Sequence, residues 1–204
     1  MRLGREMLKT ACRQMVEWRL KWPQADDWTV SVNVSSQELE KSNLVETVDA
    51  VLNELSLPAR CLKLELTERA LIENDEHATS VLQKLHDRGV KLAIDDFGTG
   101  YSSLSYLHRF PFDDIKLDRS FIRDLDTESR QAELVKAIIQ LGRNLDLTVI
   151  AEGVETKASM DLLKKLNCEN AQGYYLSRPI SGTDLHRLVD SRVNAAPDDD
   201  QSRE

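Results

Sequence analysis

Seven polar residues sit in or just after apolar, strand-like runs. They are Asn33 in W-T-V-S-V-N-V, Glu65 in C-L-K-L-E-L-T, the pair Asp95 and Asp96 after V-K-L-A-I, Lys116 in D-D-I-K-L, Glu152 after L-T-V-I-A, and Gln172 in A-Q-G-Y-Y-L. One acid at a strand end is ordinarily a helix cap or a solvated loop residue. One such position per strand, six times in series, points to a built site. The candidate ligands are oxygen donors without Cys or His, which disfavours zinc. His77, His86, His108 and His186 lie in helical or loop segments without ligand spacing. Carboxylates with one amide oxygen suit the hard cations Mg²⁺ or Mn²⁺. Two adjacent carboxylates at a turn can hold two ions, one bridging both. Two ions about 3.5–4 Å apart clamp a phosphodiester for hydrolysis. Adjacent strand residues face opposite ways, so Asp95 and Asp96 serve one site only if the strand stops there, and Phe97-Gly98-Thr99-Gly100 supplies a turn. Lys116 reads as a fixed positive charge beside the attacking water, or as a lysine paired with an acid such as Asp118.

The elements that must hold these residues alternate between two periods. Leu3, Met7, Leu8, Ala11, Met15, Trp18 and Trp22 follow helical spacing, and 28–34 then reads as a strand. Ser35 and Ser36 suit the cap of a helix bearing Leu44, Val45, Val48, Val51, Leu52 and Leu55, stopped by Pro58. Residues 61–67 form a strand. Asp75 caps a helix through Ala78, Val81, Leu82 and Leu85, closed by Gly89. Strands at 90–95, 113–117, 147–151 and 171–176 follow, with helices at 134–145, from Thr156 to Leu166, and at 183–192. Helices between successive strands mean parallel βαβ units. Both a doubly wound sheet and a (β/α)8 barrel begin this way. Ligands spread over every strand end favour the barrel, whereas a doubly wound sheet gathers them at one switch point. No GxGxxG or GxxxxGK loop occurs.

The chain has 204 residues, 27 Lys and Arg against 35 Asp and Glu, a net charge of −8. That balance argues against non-specific binding to DNA or to anionic membrane. An apolar fraction of 41% argues against a wholly disordered chain. No run approaches the ~20 apolar residues of a membrane span, and the first residues lack the apolar stretch of a signal peptide. Three scattered cysteines, Cys12, Cys61 and Cys168, leave an odd thiol and fit a reducing cytoplasm. The organisation expected is one domain over 1–192 and a polar, acidic tail over 193–204.

Six motifs, in order, carry a resemblance: S-V-N-V-S at 31–35, E-L-T-E at 65–68, D-D-F-G-T-G-Y-S-S-L at 95–104, D-I-K-L-D-R-S-F-I at 114–122, A-E-G-V-E-T at 151–156 and Q-G-Y-Y-L-S-R-P at 172–179. From about residue 3 to residue 190 the chain resembles the EAL domain family. The resemblance implies a (β/α)8 barrel and metal-dependent hydrolysis of cyclic di-GMP to linear pGpG, with two Mg²⁺ or Mn²⁺ ions. It implies that Asn33 and Glu65 bind one ion, Glu152 and Asp96 the other, and that Asp95 bridges both. Lys116 would contact and activate the attacking water. Glu68 would anchor the 97–104 loop, which in the family couples metal, substrate and dimer contacts. Asp118, Glu155 and Gln172 match further active-site positions, and Pro179 matches a residue near a guanine. A homodimer is implied, with Leu104, Tyr106, Leu107 and Phe110 as its apolar segment. Sensory or GGDEF-type domains would lie upstream. Leu117 stands where isoleucine is commoner, and Arg69 where serine is frequent, and neither touches a proposed ligand.

No E-A-L tripeptide occurs in the chain. The expectation is therefore an incomplete barrel of about six of eight βα units. The first two strands, the naming glutamate and the following arginine would be missing. The first and last strands would then be unpaired edges, the chain alone marginal in stability, and its activity low or nil. Besides the enzyme, two readings stay open: a catalytically inactive module that binds cyclic di-GMP or a protein partner, and a non-binding remnant.

Overall fold

The computed structural model describes residues 2–40, 43–72, 75–99, 104–123, 125 and 129–194. Six strands, β1 (Val30–Asn33), β2 (Leu62–Thr67), β3 (Lys91–Phe97), β4 (Asp114–Leu117), β5 (Thr148–Ala151) and β6 (Asn170–Ala171), form one parallel sheet in chain order. A doubly wound sheet reverses its strand order at a switch point. Here the order runs from one to six without reversal, and the sheet curls into part of a barrel. Among the described residues β1 pairs only with β2, and β6 only with β5.

Among the described residues nine α-helices accompany the strands: α1 (Arg2–Lys21), α2 (Ser36–Leu39), α3 (Leu44–Leu55), α4 (Glu68–Ile72), α5 (Asp75–His86), α6 (Leu104–Arg109), α7 (Arg130–Asn144), α8 (Lys157–Lys165) and α9 (Gly182–Asn194). Their apolar faces follow the spacing read from the sequence in part: Met7 of α1 and Leu134 of α7, expected on those faces, are exposed. Val45, Val48, Val51 and Leu52 of α3 are buried, as are Val135, Ile138 and Ile139 of α7. Thr156 caps α8 by accepting from the Ser159 amide at 3.1 Å.

Several expectations are corrected. Ser35 caps the short helix α2, with the Glu38 carboxylate accepting from both its amide and its hydroxyl. Helix α3 starts separately at Leu44. Asp75 is the first residue of α5, not its cap. The last strand covers only Asn170–Ala171. The chain then turns, as Gly173 O accepts from the amides of Leu176 and Ser177. The turn forms because Tyr175 N donates to Val154 O, which draws the chain across the loop after β5. Helix α9 takes in the first two residues of the expected tail 193–204; residues 195–204, like 73–74 and 100–103, lie outside the described residues, and no helix among those described is long and apolar enough to cross a membrane.

The two faces of the sheet differ in kind. Strand side chains alternate faces. Leu62, Leu64 and Leu66 of β2, Leu92 and Ile94 of β3, Ile115 and Leu117 of β4, and Val149 and Ala151 of β5 form one aliphatic row, buried with the helices. The opposite row carries Lys63, Glu65, Lys91, Asp95, Asp114 and Lys116. Strands of ordinary parallel sheets are apolar on both faces. A polar inner row is the departure that positions the site.

Trp18 of α1 and Trp22, just after it, contact Trp28, just ahead of β1, and the His186 ring of α9 lies edge-on 5.0 Å from Trp22. Asp190 accepts from Trp22 Nε1 at 2.9 Å and pairs with Lys21 at 2.8 Å. These contacts tie the last helix to the first.

Gly142 marks where α7 meets β5. A Cβ there would lie 2.4 Å from Val149 Cγ2 and 3.2 Å from Leu147 O. Alanine ordinarily stabilises a helix over glycine by roughly 0.5–1 kcal/mol. Overpacking a tight contact costs about 1–3 kcal/mol, so the clash wins. Gly142→Ala should lower the midpoint of thermal unfolding by ~2–8 °C, measured by circular dichroism.

Candidate active site

Asn33 ends β1 directly opposite Glu65, and Val34 N donates to Glu65 O at 2.8 Å, extending the ladder past the strand. Thr67 pairs with Asp95, and Lys116 with Ile150. The Glu152 amide donates to Leu117 O at 3.1 Å, so the backbone of this residue is fixed although it lies just beyond β5. Glu65, Asp95, Lys116 and Glu152 thus project from neighbouring strands toward one point.

At that point the Lys116 ammonium lies 2.6 Å from Glu65 Oε2, 2.8 Å from Glu152 Oε1 and 3.0 Å from Asp95 Oδ1. The four side chains are only 8–17% exposed. Burial alone would push the lysine pKa down. Hydrogen bonds to Glu152 and Glu65, with Asp95 beside them, outweigh it and hold the pKa above the ordinary value. These contacts favour the charged form of Lys116. The possible pairing with Asp118 is not made. Burial pushes the Glu152 carboxyl up, and Asp95 and Glu65 add to this, while Lys116 opposes it.

Asp95 and Asp96 reach the same site by a route the sequence did not suggest. The strand does not stop at Asp95; it runs on to Phe97, which pairs with Leu117. The register shifts between Ile94 and Phe97, and Asp96 adopts a left-handed backbone with φ of 52°. This bulge breaks the strict alternation of faces. Asp is among the few residues that tolerate that conformation, and Thr99 steadies the turn, its hydroxyl donating to Asp96 O at 2.9 Å. One carboxylate oxygen each from Asp95, Asp96 and Glu152 lies within 4.8 Å of the others. Burial raises the Asp96 pKa, with Asp95 and Asp118 adding to it. The cluster can bind a metal ion, and its hard oxygen donors fit a divalent cation.

The remaining candidates occupy the surrounding loops. Glu68 opens α4, is 4% exposed, and accepts from the Gly98 amide at 3.3 Å. That contact lies one residue past Phe97, the end of β3. Asp118 follows β4 and caps a turn of 3₁₀ helix, accepting from Ser120 N at 2.9 Å. Burial would raise its pKa, but the Ser120 hydrogen bonds and Arg119 outweigh it and hold the pKa below the ordinary value. Gly153, at φ of 69°, carries the loop after β5 so close that a Cβ would lie 2.4 Å from Arg119 Cβ. Gln172 N donates to Ala151 O, and Gln172 O accepts from Val154 N. Glu155 and Pro179 are exposed. Among the described residues, no side-chain hydrogen bond or ion pair joins Glu155, Gln172 or Pro179 to the carboxylate cluster. Of the apolar segment, Leu107 and Phe110 are buried in the core, while the side chains of Leu104 and Tyr106 lie outside the description.

Sequence reasoning missed Lys63 and Asp114. Their side chains form an ion pair, Nζ to Oδ2 2.5 Å, and are 12% and 8% exposed. A signal was available. Lys63 precedes Glu65 by two residues and Asp114 precedes Lys116 by two, so each shares an inward face with a site residue.

The EAL domain profile matches residues 1–179. The chain is 39% identical over 187 residues to the signaling protein YkoW of Bacillus subtilis, covering 92% of the chain and 23% of YkoW. It is 42% identical over 183 residues to MucR of Pseudomonas aeruginosa, a bifunctional diguanylate cyclase/cyclic di-GMP phosphodiesterase, covering 90% of the chain and 26% of MucR. The chain thus spans about a quarter of the length of these relatives. The structure of the MucR phosphodiesterase in complex with c-di-GMP superposes with a TM-score of 0.84 at 41% identity, over 90% of this chain and 74% of that one. The EAL domain of Mycobacterium smegmatis DcpA superposes at 0.87 and 38% identity, over 93% and 84%. The chain belongs to the EAL domain family.

Proposed function

We propose that the chain is the catalytic part of a cyclic di-GMP phosphodiesterase. It hydrolyses the cyclic dinucleotide to linear pGpG in bacterial second-messenger signalling, in the cytoplasm. The observation that carries this is the Lys116 ammonium held among Glu65, Asp95 and Glu152, with Asp96 beside them. The names of relatives such as MucR support the substrate. In this reading Asn33, Glu65, Asp95, Asp96 and Glu152 would hold two Mg²⁺ or Mn²⁺ ions. Such ions supply Lewis acidity at the phosphoryl oxygens and lower the pKa of a water.

The chain's own residues do the rest. Lys116 stays charged, because its raised pKa keeps the proton in place. It therefore orients the attacking water as a donor and offsets developing negative charge, and it does not act as a base. Glu68 fixes the start of the 97–104 loop through the Gly98 amide. Asp118 steadies the segment after β4. Glu155, Gln172 and Pro179 are assigned to the substrate at the rim. The proposal includes a homodimer and a sensory or GGDEF-type domain in the same polypeptide. Since Leu107 and Phe110 are buried, other residues must form the dimer contact.

A second reading, binding without hydrolysis, is favoured by the absence of an E-A-L tripeptide. Incubation with cyclic di-GMP and Mg²⁺ or Mn²⁺, following pGpG by chromatography, separates the two. The enzyme reading expects turnover that falls by about 10²–10³-fold in Asp95→Asn and Lys116→Ala. Turnover unaffected by either change would remove the site assignment, and binding with no pGpG would leave the receptor.

The acids give a pH dependence. Asp96 and Glu152 both have raised pKa values, so protons compete for these oxygens above the usual carboxylate range. Mn²⁺ affinity should therefore fall as pH drops from 7.5 toward 5 and flatten above. Calorimetric titration reads this, and Asp96→Asn should weaken the slope.

A further inference from the structure

Strands β2 and β4 do not touch, because β3 lies between them. Two ion pairs nevertheless join them across its inner face. At the mouth, Glu65 of β2 meets Lys116 of β4 at 2.6 Å; one level deeper, Lys63 of β2 meets Asp114 of β4 at 2.5 Å. The signs are crossed: each strand gives an acid at one level and a lysine at the other. The intervening residue is Ala93, fully buried and in register with both Glu65 and Asp114. Its single methyl leaves room for longer side chains to meet above it.

The crossing has a consequence for Lys116. Residues two apart on a strand are about 6.6–6.8 Å apart, a distance a lysine side chain spans with ease. Asp114 is therefore a rival for the Lys116 ammonium, sited below the mouth on the same strand and face. Lys63 engages that rival and puts a second positive charge at its level, which repels Lys116 upward to Glu65, Asp95 and Glu152. We propose that Lys63 is a positioning residue for Lys116, acting by occupying Asp114. The proposal rests on the phosphodiesterase reading only where turnover is the measurement.

Three full-length variants test it: Lys63→Met, Asp114→Asn, and the two combined, each checked for folding by thermal unfolding. In Lys63→Met, Lys116 is drawn down to Asp114, and kcat for cyclic di-GMP should fall by roughly 10- to 100-fold with KM little changed. In the combined variant the rival is neutral, and kcat should return to within about threefold of the starting protein. A pair that serves stability alone would shift the melting temperature and leave kcat per folded molecule unchanged in all three. That result overturns the proposal, as does a combined variant as slow as Lys63→Met. If Lys63→Met does not fold, Lys63→Gln, which lacks the positive charge that holds Asp114 and repels Lys116, takes its place with the same order expected. The Lys116 ammonium signal in ¹H–¹⁵N spectra gives a readout without turnover. It should move in the single lysine variant and return in the combined one, and a signal unmoved by either overturns the proposal. A starting protein that makes no pGpG counts against the phosphodiesterase reading alone, because the spectra still decide the role of Lys63.

Discussion

The Lys116 ammonium draws Glu65, Asp95 and Glu152 to within 3.0 Å of itself, and four parallel strands must be in register for that to happen. Removing each charge from water costs several kcal/mol, and only close geometry offsets it. A slip of one residue in any strand would turn its polar row toward the helices and its leucines into the lumen. The aliphatic row of Leu62, Leu64, Leu66, Leu92, Ile94, Ile115 and Leu117 makes such a slip costly. Apolar burial on the outer face thereby enforces the electrostatic geometry of the inner one. The core is the device that holds an unfavourable set of like charges together.

The loops above the sheet extend the same logic. Each strand end hands its neighbour a contact: Gly98 N to Glu68 from β2, Gly153 against Arg119 from β4, Gln172 to the Ala151 and Val154 backbone from β5. The left-handed backbone at Asp96 costs energy by itself. It persists because the β3–β4 ladder on one side and Thr99 on the other over-determine it. That local strain is what lets two consecutive acids serve one site.

Much of this was legible in the sequence. Period-two alternation placed five of the six strands, helical spacing placed the buried face of α3 and most of that of α1 and α7, with Met7 and Leu134 exposed instead, and the strand-end acids pointed to the mouth. What was not legible depended on neighbours distant in the chain. The turn after Ala171 follows from Val154 O accepting from Tyr175, which no local pattern in Q-G-Y-Y-L declares. The bulge at Asp96 needs Phe97 to pair with Leu117, so Phe-Gly-Thr-Gly read as the end of a strand. Lys63 and Asp114 looked like ordinary alternating polar residues, since nothing local announces that an alanine between their strands lets them meet. Leu107 and Phe110 looked available for a partner, yet the chain's own core takes them.

The charge balance of the inner face changes with depth. One level down, Lys63 and Asp114 neutralise each other. At the mouth, one lysine faces Glu65, Asp95 and Glu152, with Asp96 close by, so negative charge is in excess. Burial raises the pKa values of Glu152 and Asp96, and the neighbouring acids add to it: Asp95 and Glu65 at Glu152, Asp95 and Asp118 at Asp96. A phosphodiester is itself an anion, and a chain of net charge −8 gives it no long-range attraction. It can settle at such a mouth only after the excess is offset. A second lysine would bring one charge and no Lewis acidity; divalent cations bring two charges each and bind the same oxygens. In the proposed reading, a need for divalent cations would follow from the imbalance at the mouth, and the Lys63–Asp114 pair beneath would confine that imbalance to the level where a phosphate would bind.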